Sequence, residues 1–391
     1  MKLDRSLWLL FASMLLWGLG TGLYMYTWPV YVTEMGGGAP EIGLLQAISF
    51  AVMALSYLPG GYLTDRFDRK WIMVVGWAVA VPAPLLYALA RHWTHLLPGI
   101  VLYNISMFSN SAVRAYMAHL APPERLSSVF AILDMSWPVG LIVSPAIGGL
   151  WAQKAGMKPV FFGSFILYLA STLVLLGLRS QKVVGDFQGL GDLGRVLKVP
   201  RMPELLALGV GIYFAQFLAI PFSTPFLRDV AGLDLAEIGF LGSVISVGGV
   251  LLSPVLGHFS DRAGREQGLA ASLALLGVSF LTLVATRTFG GLVLSMLLRG
   301  VAGVSWSLFS AIAAIAMPQD MRGRGFAVVS LVTAIAQTIA PYPAGLMYAR
   351  NPSLPFVLSA ISLFVLAGAA LLEDVRRRRA SPTTTNDTPD E

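Results

Sequence analysis

The chain has 391 residues, of which 56% are hydrophobic and only 12% are charged, with a net charge of +6. That apolar share exceeds the roughly 45–50% of a soluble domain, which excludes an ordinary soluble globular protein. The absence of cysteine excludes disulfides, thiolate metal sites and a cysteine nucleophile. The basic residues are dispersed among short loops, which indicates the lipid bilayer and no nucleic acid as a partner.

Apolar stretches long enough to cross a bilayer, about 20 residues each, recur along the chain between short polar loops. The first stretch is longer than the apolar core of a signal peptide and lacks a small-residue cleavage site, so we expect a retained helix. The pattern predicts an all-α integral membrane protein with 12 transmembrane helices. They are predicted at residues 7–33, 42–60, 71–90, 96–118, 128–150, 159–178, 204–227, 238–256, 268–286, 289–316, 325–348 and 354–372.

The distribution of basic residues predicts the orientation of these helices. With a cytoplasmic N-terminus, 19 of the 27 lysines and arginines fall on the cytoplasmic side, six fall outside, and two lie within helices. Cytoplasmic loops of membrane proteins carry such an excess. We therefore expect a multi-pass protein of the cell (inner) membrane with both termini in the cytoplasm.

The sequence repeats itself after about half its length. The segment GYLTDRFDR at 61–69 matches GHFSDRAGR at 257–265, a displacement of 257 − 61 = 196 residues, which also aligns Glu-Ile-Gly at 41–43 with Glu-Ile-Gly at 237–239. Six helices per repeat give both halves the same orientation, as in transporters whose halves rock around a central site. The predicted units are an N-terminal six-helix bundle at 1–179, a cytoplasmic linker at 180–203, a C-terminal six-helix bundle at 204–375 and a disordered tail at 376–391.

Three stretches resemble the major facilitator superfamily of secondary transporters. Residues 61–70 resemble its signature G-x-L-x-D-R-x-G-R-[KR], with Asp68 in place of glycine. Residues 140–149 are similar to its antiporter motif G-x-x-x-G-P-x-x-G-G, and residues 118–125 to its helix-four ending, with His119 in place of aspartate. The resemblance covers all twelve helices and is closest to the drug/proton-antiporter-like branch. It implies two pseudo-symmetric bundles, alternating access, a small-molecule substrate, a proton gradient in place of any cofactor, and function as a monomer.

The repeated charged segment is predicted to be a conformational latch. Asp65 and Asp261 end their helices at the negative pole of the helix dipole, where a carboxylate is disfavoured by up to ~1 kcal/mol. Each is therefore expected to serve another element, either a neighbouring helix N-terminus or Arg66 and Arg69, across an interface formed in one transport state. The alternative is a solvated loop that only sets topology. The candidate latch residues are Gly61, Asp65, Arg66, Arg69, Gly257, Asp261, Arg262 and Arg265.

A second motif joins glycine and proline in helices five and eleven. Small residues allow close helix approach, and a proline inside a helix removes a backbone hydrogen bond and bends or hinges it. The two stretches occupy matching positions of the repeat, so a paired role is expected. The motif residues are Gly140, Pro145, Gly148, Gly149, Pro341 and Gly345.

Three charged residues lie within predicted helices, where a charge costs about 2.5–3.5 kcal/mol. Arg114 and Asp134 have similar depths on antiparallel neighbours and are expected to form an ion pair, either as a structural staple or as the proton-linked element. Arg299 has no matched acid and is expected to face water, backbone carbonyls or an anionic substrate group, or to be structural. The other candidate cavity residues, for which helix packing is the alternative, are Gln46, Asn104, Asn110, Tyr213, Gln216, Trp306 and Gln337.

Motifs of other function classes are absent from the sequence. There is no GxxxxGK[ST] loop for ATP, no HExxH and no GxSxG, which argues against an ATP-driven pump and against a metal-dependent or hydrolytic enzyme. The predicted function is secondary transport of a small organic solute, by proton-coupled efflux. The alternatives are proton-linked or facilitated uptake of a sugar or metabolite, and a transporter-like sensor or lipid-handling protein.

Overall fold

The computed structural model describes residues 4–122, 125–181, 197–318 and 322–380. These residues are almost entirely helical, and within them twelve helices are long and apolar enough to cross a membrane, as predicted. We label these twelve helices α1 to α12, and a helix that is interrupted by a short break keeps a single label. They are α1 (Arg5–Met25), α2 (Ala39–Arg66), α3 (Arg69–Leu89), α4 (Trp93–Leu120), α5 (Ser128–Ala155), α6 (Met157–Leu175), α7 (Met202–Asp229), α8 (Leu235–Ala263), α9 (Arg265–Ala285), α10 (Phe289–Ala316), α11 (Val328–Arg350) and α12 (Leu354–Glu373).

The first helix is shorter than predicted. The apolar stretch at 7–33 was expected to form one helix, but α1 ends at Met25 and a separate short helix covers Trp28–Glu34. Pro29 lies in the first turn of the short helix, where the missing N–H of proline removes no helical hydrogen bond. Hydropathy alone did not register this break, because the residues on both sides of it are mostly apolar or aromatic.

Helices α2 and α8 are longer than predicted. They were expected to end at residues 60 and 256, but they continue to Arg66 and Ala263. The charged signature segments therefore form the last turns of helices, and the connection from α2 to α3 is only Phe67 and Asp68. The physical reason is that a helix satisfies its own backbone groups in water as well as in lipid, so it need not end where the apolar stretch ends.

Several helices are interrupted near their middle. Helix α4 contains a 3₁₀ segment at Ser106–Ser109, and α10 is interrupted at Gly300 and Val301, at nearly the matching positions of the repeat. Helix α7 is interrupted by the 3₁₀ turn Ile220–Phe222, which contains Pro221. Interrupted helices at matching positions of two halves are typical of transporter binding sites.

The helices form two bundles that meet along two seams. Helix α1 packs on α5 and α6 in the first bundle, and α12 packs on α7 and α9 in the second. Between the bundles, α5 packs on α8 and α2 packs on α11. We call the side of the molecule that holds Phe67, Asp68 and Gln181 the linker end, and the opposite side, where α2 and α8 begin, the distal end.

The predicted linker and tail lie partly outside the described residues. Residues 182–196 of the linker are not described, and α7 begins at Met202. The tail was predicted to be disordered from residue 376, but the helix that contains α12 continues to Ala380. Arginine and alanine favour helices, and basic residues are favourable at a helix C-terminus, which accounts for the extension. The rest of the tail, 381–391, is outside the described residues.

Candidate functional site

The seam between α5 and α8 is closed at the distal end. A Cβ atom placed on Gly149 would lie 2.7 Å from the Cα of Gly239, and one placed on Gly239 would lie 2.7 Å from the Cα of Gly149. No side chain fits at either position, so the two backbones touch. The backbone N–H of Ala146 also donates a hydrogen bond to the Ser243 hydroxyl across the seam, at 3.1 Å.

The seam between α2 and α11 repeats this contact. A Cβ on Gly43 would lie 3.1 Å from the Cα of Tyr342, and one on Gly345 would lie 2.9 Å from the Cα of Pro40. Gly43 and Gly239 are matching residues of the repeat, as are Gly149 and Gly345. The distal end is thus held by two pseudo-symmetric contacts that need glycine.

The proline-glycine motif in α5 has two separate packing roles. A Cβ on Gly140 would lie 2.7 Å from the backbone nitrogen of Leu19, and one on Gly148 would lie 2.6 Å from the Cα of Leu23, so these glycines face α1 within their own bundle. The carbonyl of Pro145 instead faces Gly239 of the other bundle. The carbonyl of Pro341 in α11 faces Gly43 in the same way.

The linker end is open. A Cβ placed on Gly61 or on Gly257 would meet no heavy atom of the described chain within 4 Å. These are the candidate latch glycines, at matching positions of the repeat. In this conformation the bundles are therefore joined at the distal end and apart at the linker end.

The candidate latch side chains of the first repeat are held within their own bundle. The Arg66 guanidinium lies 4.7 Å from the centroid of the Tyr62 ring, and Arg69 donates to the carbonyl of Ala115 in α4 at 3.2 Å. The expected pairing of Asp65 with either arginine is absent among the described residues. Both arginines have other partners, and the interface the latch would need is open in this conformation.

The substitution of His119 for aspartate is visible in the surroundings of Arg69. The Arg69 side chain reaches α4, but its partners there and in the linker are the Ala115 carbonyl and the amide oxygen of Gln181. Its Nε is buried and has no hydrogen-bond partner in the described chain, and His119 is exposed. The family resemblance implies a carboxylate at the position of His119, and the hydrogen bonds of Arg69 in the described chain do not involve that position.

Asp68 has a structural role that the sequence pattern does not reveal. Its side chain caps α3 by accepting from the backbone N–H of Lys70 at 2.9 Å. It also accepts hydrogen bonds from the Ser180 hydroxyl and from the backbone N–H of Gln181, at the start of the linker. Partial burial opposes the charge, but these hydrogen bonds together lower the pKa of the Asp68 carboxyl below its ordinary value. Asp68 thus fastens the linker to the first bundle.

The second repeat has a different turn at the matching position. Gly264 aligns with Asp68 and has φ +126°, a conformation that favours glycine, whereas Asp68 has φ −58°. The nearby side chains of Asp261 and Arg262 are exposed. A cavity of about 300 Å³ opens at this end of α8, lined by Ser260, Asp261, Gly264, Arg265, Glu266, Ile312 and Ile315.

A central cavity lies between the bundles and has two neighbouring parts that share lining residues. The larger part has a volume of about 590 Å³ and the smaller about 300 Å³, and both are lined by Tyr103 and Trp137. The larger part is bounded by α1, α3, α4 and α5 and by Trp306 and Ser307 of α10. The smaller part lies nearer the distal end, where α2, α7 and Arg299 of α10 complete it. Both bundles therefore contribute residues to the wall of this cavity.

The predicted ion pair is present and lies in the larger part of this cavity. Arg114 Nη1 is 2.7 Å from both carboxylate oxygens of Asp134, and the two side chains are 58% and 42% exposed. The ion pair joins α4 to α5. Because both side chains are accessible from the cavity, water and protons can reach Asp134.

Arg299 is the second charge of the cavity and is nearly buried, with 8% of its surface exposed. It lines the smaller part and donates to the carbonyl of Ile220 at 3.2 Å, at the break in α7. The sulfur of Met296 lies 4.0 Å from its other terminal nitrogen. The ion pairs within the described residues do not include Arg299. A backbone carbonyl was one of its expected neighbours, beside water, an anionic substrate group and a structural role, and the choice among these stays a prediction.

Four of the other seven candidates line the cavity. Gln46 and Asn104 line the smaller part, and Asn110 and Trp306 line the larger part. The remaining three lie outside the lining of both parts. Tyr213 packs its ring 5.5 Å from that of Trp306, Gln216 is buried in α7, and Gln337 is partly buried in α11.

Aromatic side chains make up much of the wall, and the sequence did not single out several of them. Trp17 stacks on Tyr168 with ring centroids 4.0 Å apart. Tyr103 and Trp137, which line both parts, were not among the candidates. One signal was available for Tyr103, since it occupies the repeat position of Arg299. The missed aromatic residues of the lining are Trp28, Phe50, Trp77, Tyr87, Tyr103 and Trp137.

Comparison with known proteins gives a consistent result. The family model of the Major Facilitator Superfamily matches residues 10–235 and 205–390. "Multidrug resistance protein MdtG" of Enterobacter lignolyticus (strain SCF1) is 29% identical over 289 residues, covering 69% of this chain and 68% of that protein. The protein of the same name from Serratia proteamaculans (strain 568) is 28% identical over 298 residues, covering 72% and 71%.

Solved structures share the fold at low identity. A mutant of the nucleoside transporter NupG has a TM-score of 0.82 at 15% identity, covering 94% of this chain and 99% of that chain. A bacterial homologue of the human lysosomal transporter Spinster, inward-facing and occupied, has a TM-score of 0.73 at 17% identity, covering 98% and 100%. Together with two repeated six-helix bundles around a central cavity, these matches show that the chain belongs to the Major Facilitator Superfamily and is a secondary transporter, not an enzyme.

Proposed function

We propose that this transporter exports small, drug-like organic molecules from the cytoplasm in exchange for protons. The relatives reported above carry the name multidrug resistance protein, which supports this class of substrate. The observation that carries the proposal is the Arg114–Asp134 pair, a titratable ion pair accessible from the central cavity. Intramembrane acids facing a cavity are typical of proton-linked steps.

The Arg114–Asp134 ion pair provides a way to couple proton movement to substrate movement. While Asp134 is ionised it holds Arg114, and both charges face the space that the substrate enters. Protonation of Asp134 removes its charge and leaves Arg114 without its partner, which changes the charge presented to a substrate. A proton taken up from one side and released to the other would thereby alternate the affinity of the cavity, as exchange requires.

The orientation of the open end decides which side the cavity faces. The linker end carries most of the basic residues of the loops, so we assign it to the cytoplasm of the cell, with both termini there. The conformation then opens the cavity to the cytoplasm and closes it at the distal end, ready to load a substrate for export. We assign the protein to the inner membrane and propose that it functions as a monomer. Labelling of single cysteines in whole cells would test the orientation.

We propose that the repeated signature segments close the linker end in the opposite state. Gly61 and Gly257 have room for an approaching backbone, and Asp65 has no hydrogen-bond or ion-pair partner in the described residues of this conformation. Both features suit a contact formed only when the bundles rock together at this end. The glycines of the distal seams would then separate.

The coupling proposal is tested with purified protein in proteoliposomes that contain a pH-sensitive dye. Adding a transported drug to wild-type vesicles with a pH gradient should release protons, and Asp134→Asn should abolish drug-driven proton movement. Asp134→Glu, which keeps the charge, should retain part of it. Drug movement that is unaffected by the pH gradient in the wild type would overturn the exchange mechanism.

The same vesicles distinguish the alternatives. Counterflow of labelled drug without proton movement would indicate facilitated transport, and co-movement of protons and solute in one direction would indicate proton-linked uptake. Binding without counterflow would indicate a sensor or lipid-handling protein. Each of these results contradicts proton-coupled export.

A further inference from the structure

Arg299 is a charge in the cavity that the proposed coupling step does not use. It is 8% exposed, yet it lines the smaller part of the cavity beside Tyr26 and Asn104. For its five N–H donors, the described residues supply one backbone carbonyl and one sulfur atom as partners. A buried guanidinium without a carboxylate is costly inside a membrane protein and indicates that its counter-charge comes from elsewhere.

The backbone around Arg299 is arranged as in a binding site. Arg299 ends the first segment of α10, just before the break at Gly300 and Val301, and it contacts Ile220 at the break in α7. The matching position in the first repeat is Tyr103, next to the 3₁₀ segment of α4, and it lines the same cavity. The repeat therefore places one cation and one aromatic ring at equivalent positions, each near a break in its helix.

The rest of the wall is suited to an apolar aromatic body. Trp17, Tyr103 and Tyr168 form a stacked group, with the ring centroids of Trp17 and Tyr103 6.2 Å apart. Trp137 lines both parts of the cavity and so extends this wall toward Arg299. The polar groups near Arg299 include Gln46 and Asn104, which are neutral.

From these features we propose that the cavity selects organic anions, in which a carboxylate or another acid group pairs with Arg299 and an aromatic body lies against Trp17, Tyr103 and Trp137. This substrate class rests on the proposed export function for its biological meaning, but binding itself does not depend on export. Guanidinium groups bind carboxylates through two parallel hydrogen bonds, and Arg299 has donors left for this. While Asp134 is ionised, the Arg114–Asp134 pair is internally neutral and does not compete for the anion.

The test uses three probes with the same ring system and different charge: 1-naphthoate, 1-naphthamide and 1-naphthylmethylammonium. Affinities are measured by isothermal titration calorimetry on the full-length protein in nanodiscs at neutral pH. Wild type should bind naphthoate at least tenfold more tightly than the amide and the ammonium. Equal or tighter binding of the ammonium would overturn the proposal without any variant being needed.

Two variants of Arg299 test whether this residue is the cation that binds the acid group of the probe. Arg299→Gln should weaken naphthoate at least tenfold and leave naphthamide within twofold, and Arg299→Lys should recover part of the naphthoate affinity. Arg350→Gln, at the exposed distal end of α11, is the matched control and should bind all three probes as wild type does. Unchanged naphthoate binding in a folded Arg299→Gln protein would contradict the proposal.

The binding test of the anion site can succeed or fail independently of the proteoliposome test of export. Naphthoate binding that depends on Arg299 supports the anion site even if the proteoliposomes show no drug–proton exchange. Exchange of a cationic drug with no preference for naphthoate supports export and overturns the anion site.

Discussion

The two ends of the bundle interface use the same residue type in opposite ways. At the distal end, Gly43, Gly149, Gly239 and Gly345 have no room for a side chain because a backbone of the other bundle lies against them. At the linker end, Gly61 and Gly257 meet nothing within 4 Å in the described chain. Both groups consist of pairs related by the internal repeat, so the difference is one of conformation and not of composition.

This contrast shows how a glycine can be informative even where it contacts nothing. A glycine at a closed seam is explained by its neighbours, whereas one at an open seam needs a second conformation to explain it. The open pair sits one turn before Asp65 and Asp261, which are the acids that the dipole of their own helix disfavours. One set of glycines is in contact in the present conformation, and under the proposed latch the other set makes contact in the opposite one.

The largest effect is expected from locking the closed distal seam. Ser243→Cys combined with Ala146→Cys places two cysteines across this seam, because the Ser243 hydroxyl contacts the backbone of Ala146. The chain has no native cysteine, so no other thiol can react. Oxidation should reduce transport to background, because the distal seam must open in every cycle, and reductant should restore it. Each single cysteine variant is the control, and full transport by the oxidised pair would show that this seam does not open.

Removing the acid from the open end tests the other state. Asp65→Asn keeps the size of the side chain and removes the charge that would bind a helix N-terminus or an arginine when this end closes. We expect transport in proteoliposomes to fall at least tenfold, which corresponds to ~1.4 kcal/mol, with normal membrane insertion. Wild-type rates in this variant would reduce the segment to a topology signal.

A single methyl group added at the closed distal seam should have a smaller effect, a shift in the equilibrium between the two conformations. Gly239→Ala places a Cβ 2.7 Å from the Cα of Gly149, and overpacking of this kind costs about 1–3 kcal/mol. The closed distal end should become less populated, so a cysteine placed nearby should react several-fold faster with a water-soluble maleimide. Gly368→Ala, where a Cβ meets no described atom within 4 Å, is the matched control and should react at the wild-type rate.

The smallest expected effect concerns the turn that differs between the repeats. Asp68→Ala removes the cap of α3 and the acceptor for the linker, and loss of an N-cap costs ~1 kcal/mol. Since the pKa of Asp68 is lowered in the folded protein, its stabilisation is present above the unfolded pKa and is lost as pH falls through the folded value. Thermal unfolding should therefore separate wild type from the variant at pH 7 and bring them together in strong acid.

The architecture was largely readable from the sequence because the bilayer constrains it. Twelve apolar stretches and the repeat predicted the helix number and the two bundles, and similar depth on neighbouring helices predicted the Arg114–Asp134 pair. The predicted helix ends were wrong where the helical backbone continues beyond the apolar stretch or breaks within it. Hydropathy reports where lipid begins, and it did not detect that α2 continues to Arg66 or that α1 ends at Met25.

The cavity was less predictable because its wall depends on which face of each helix turns inward. Polarity identified Asn104 and Asn110, but it could not identify Trp137, whose side chain is equally compatible with lipid. Conversely, Gln216 and Gln337 are polar but lie outside the lining. The role of Asp68 was hidden for another reason, since its partners Ser180 and Gln181 are distant in sequence.

The two distal seams are also related to each other by the internal repeat. Gly43 meets the carbonyl of Pro341 while its counterpart Gly239 meets that of Pro145, which is the counterpart of Pro341. Contacts of this reciprocal kind define the isologous interface of a two-fold symmetric dimer. One six-helix half therefore carries both of the complementary patches that join the halves at the distal end, as one subunit does in a two-fold symmetric dimer.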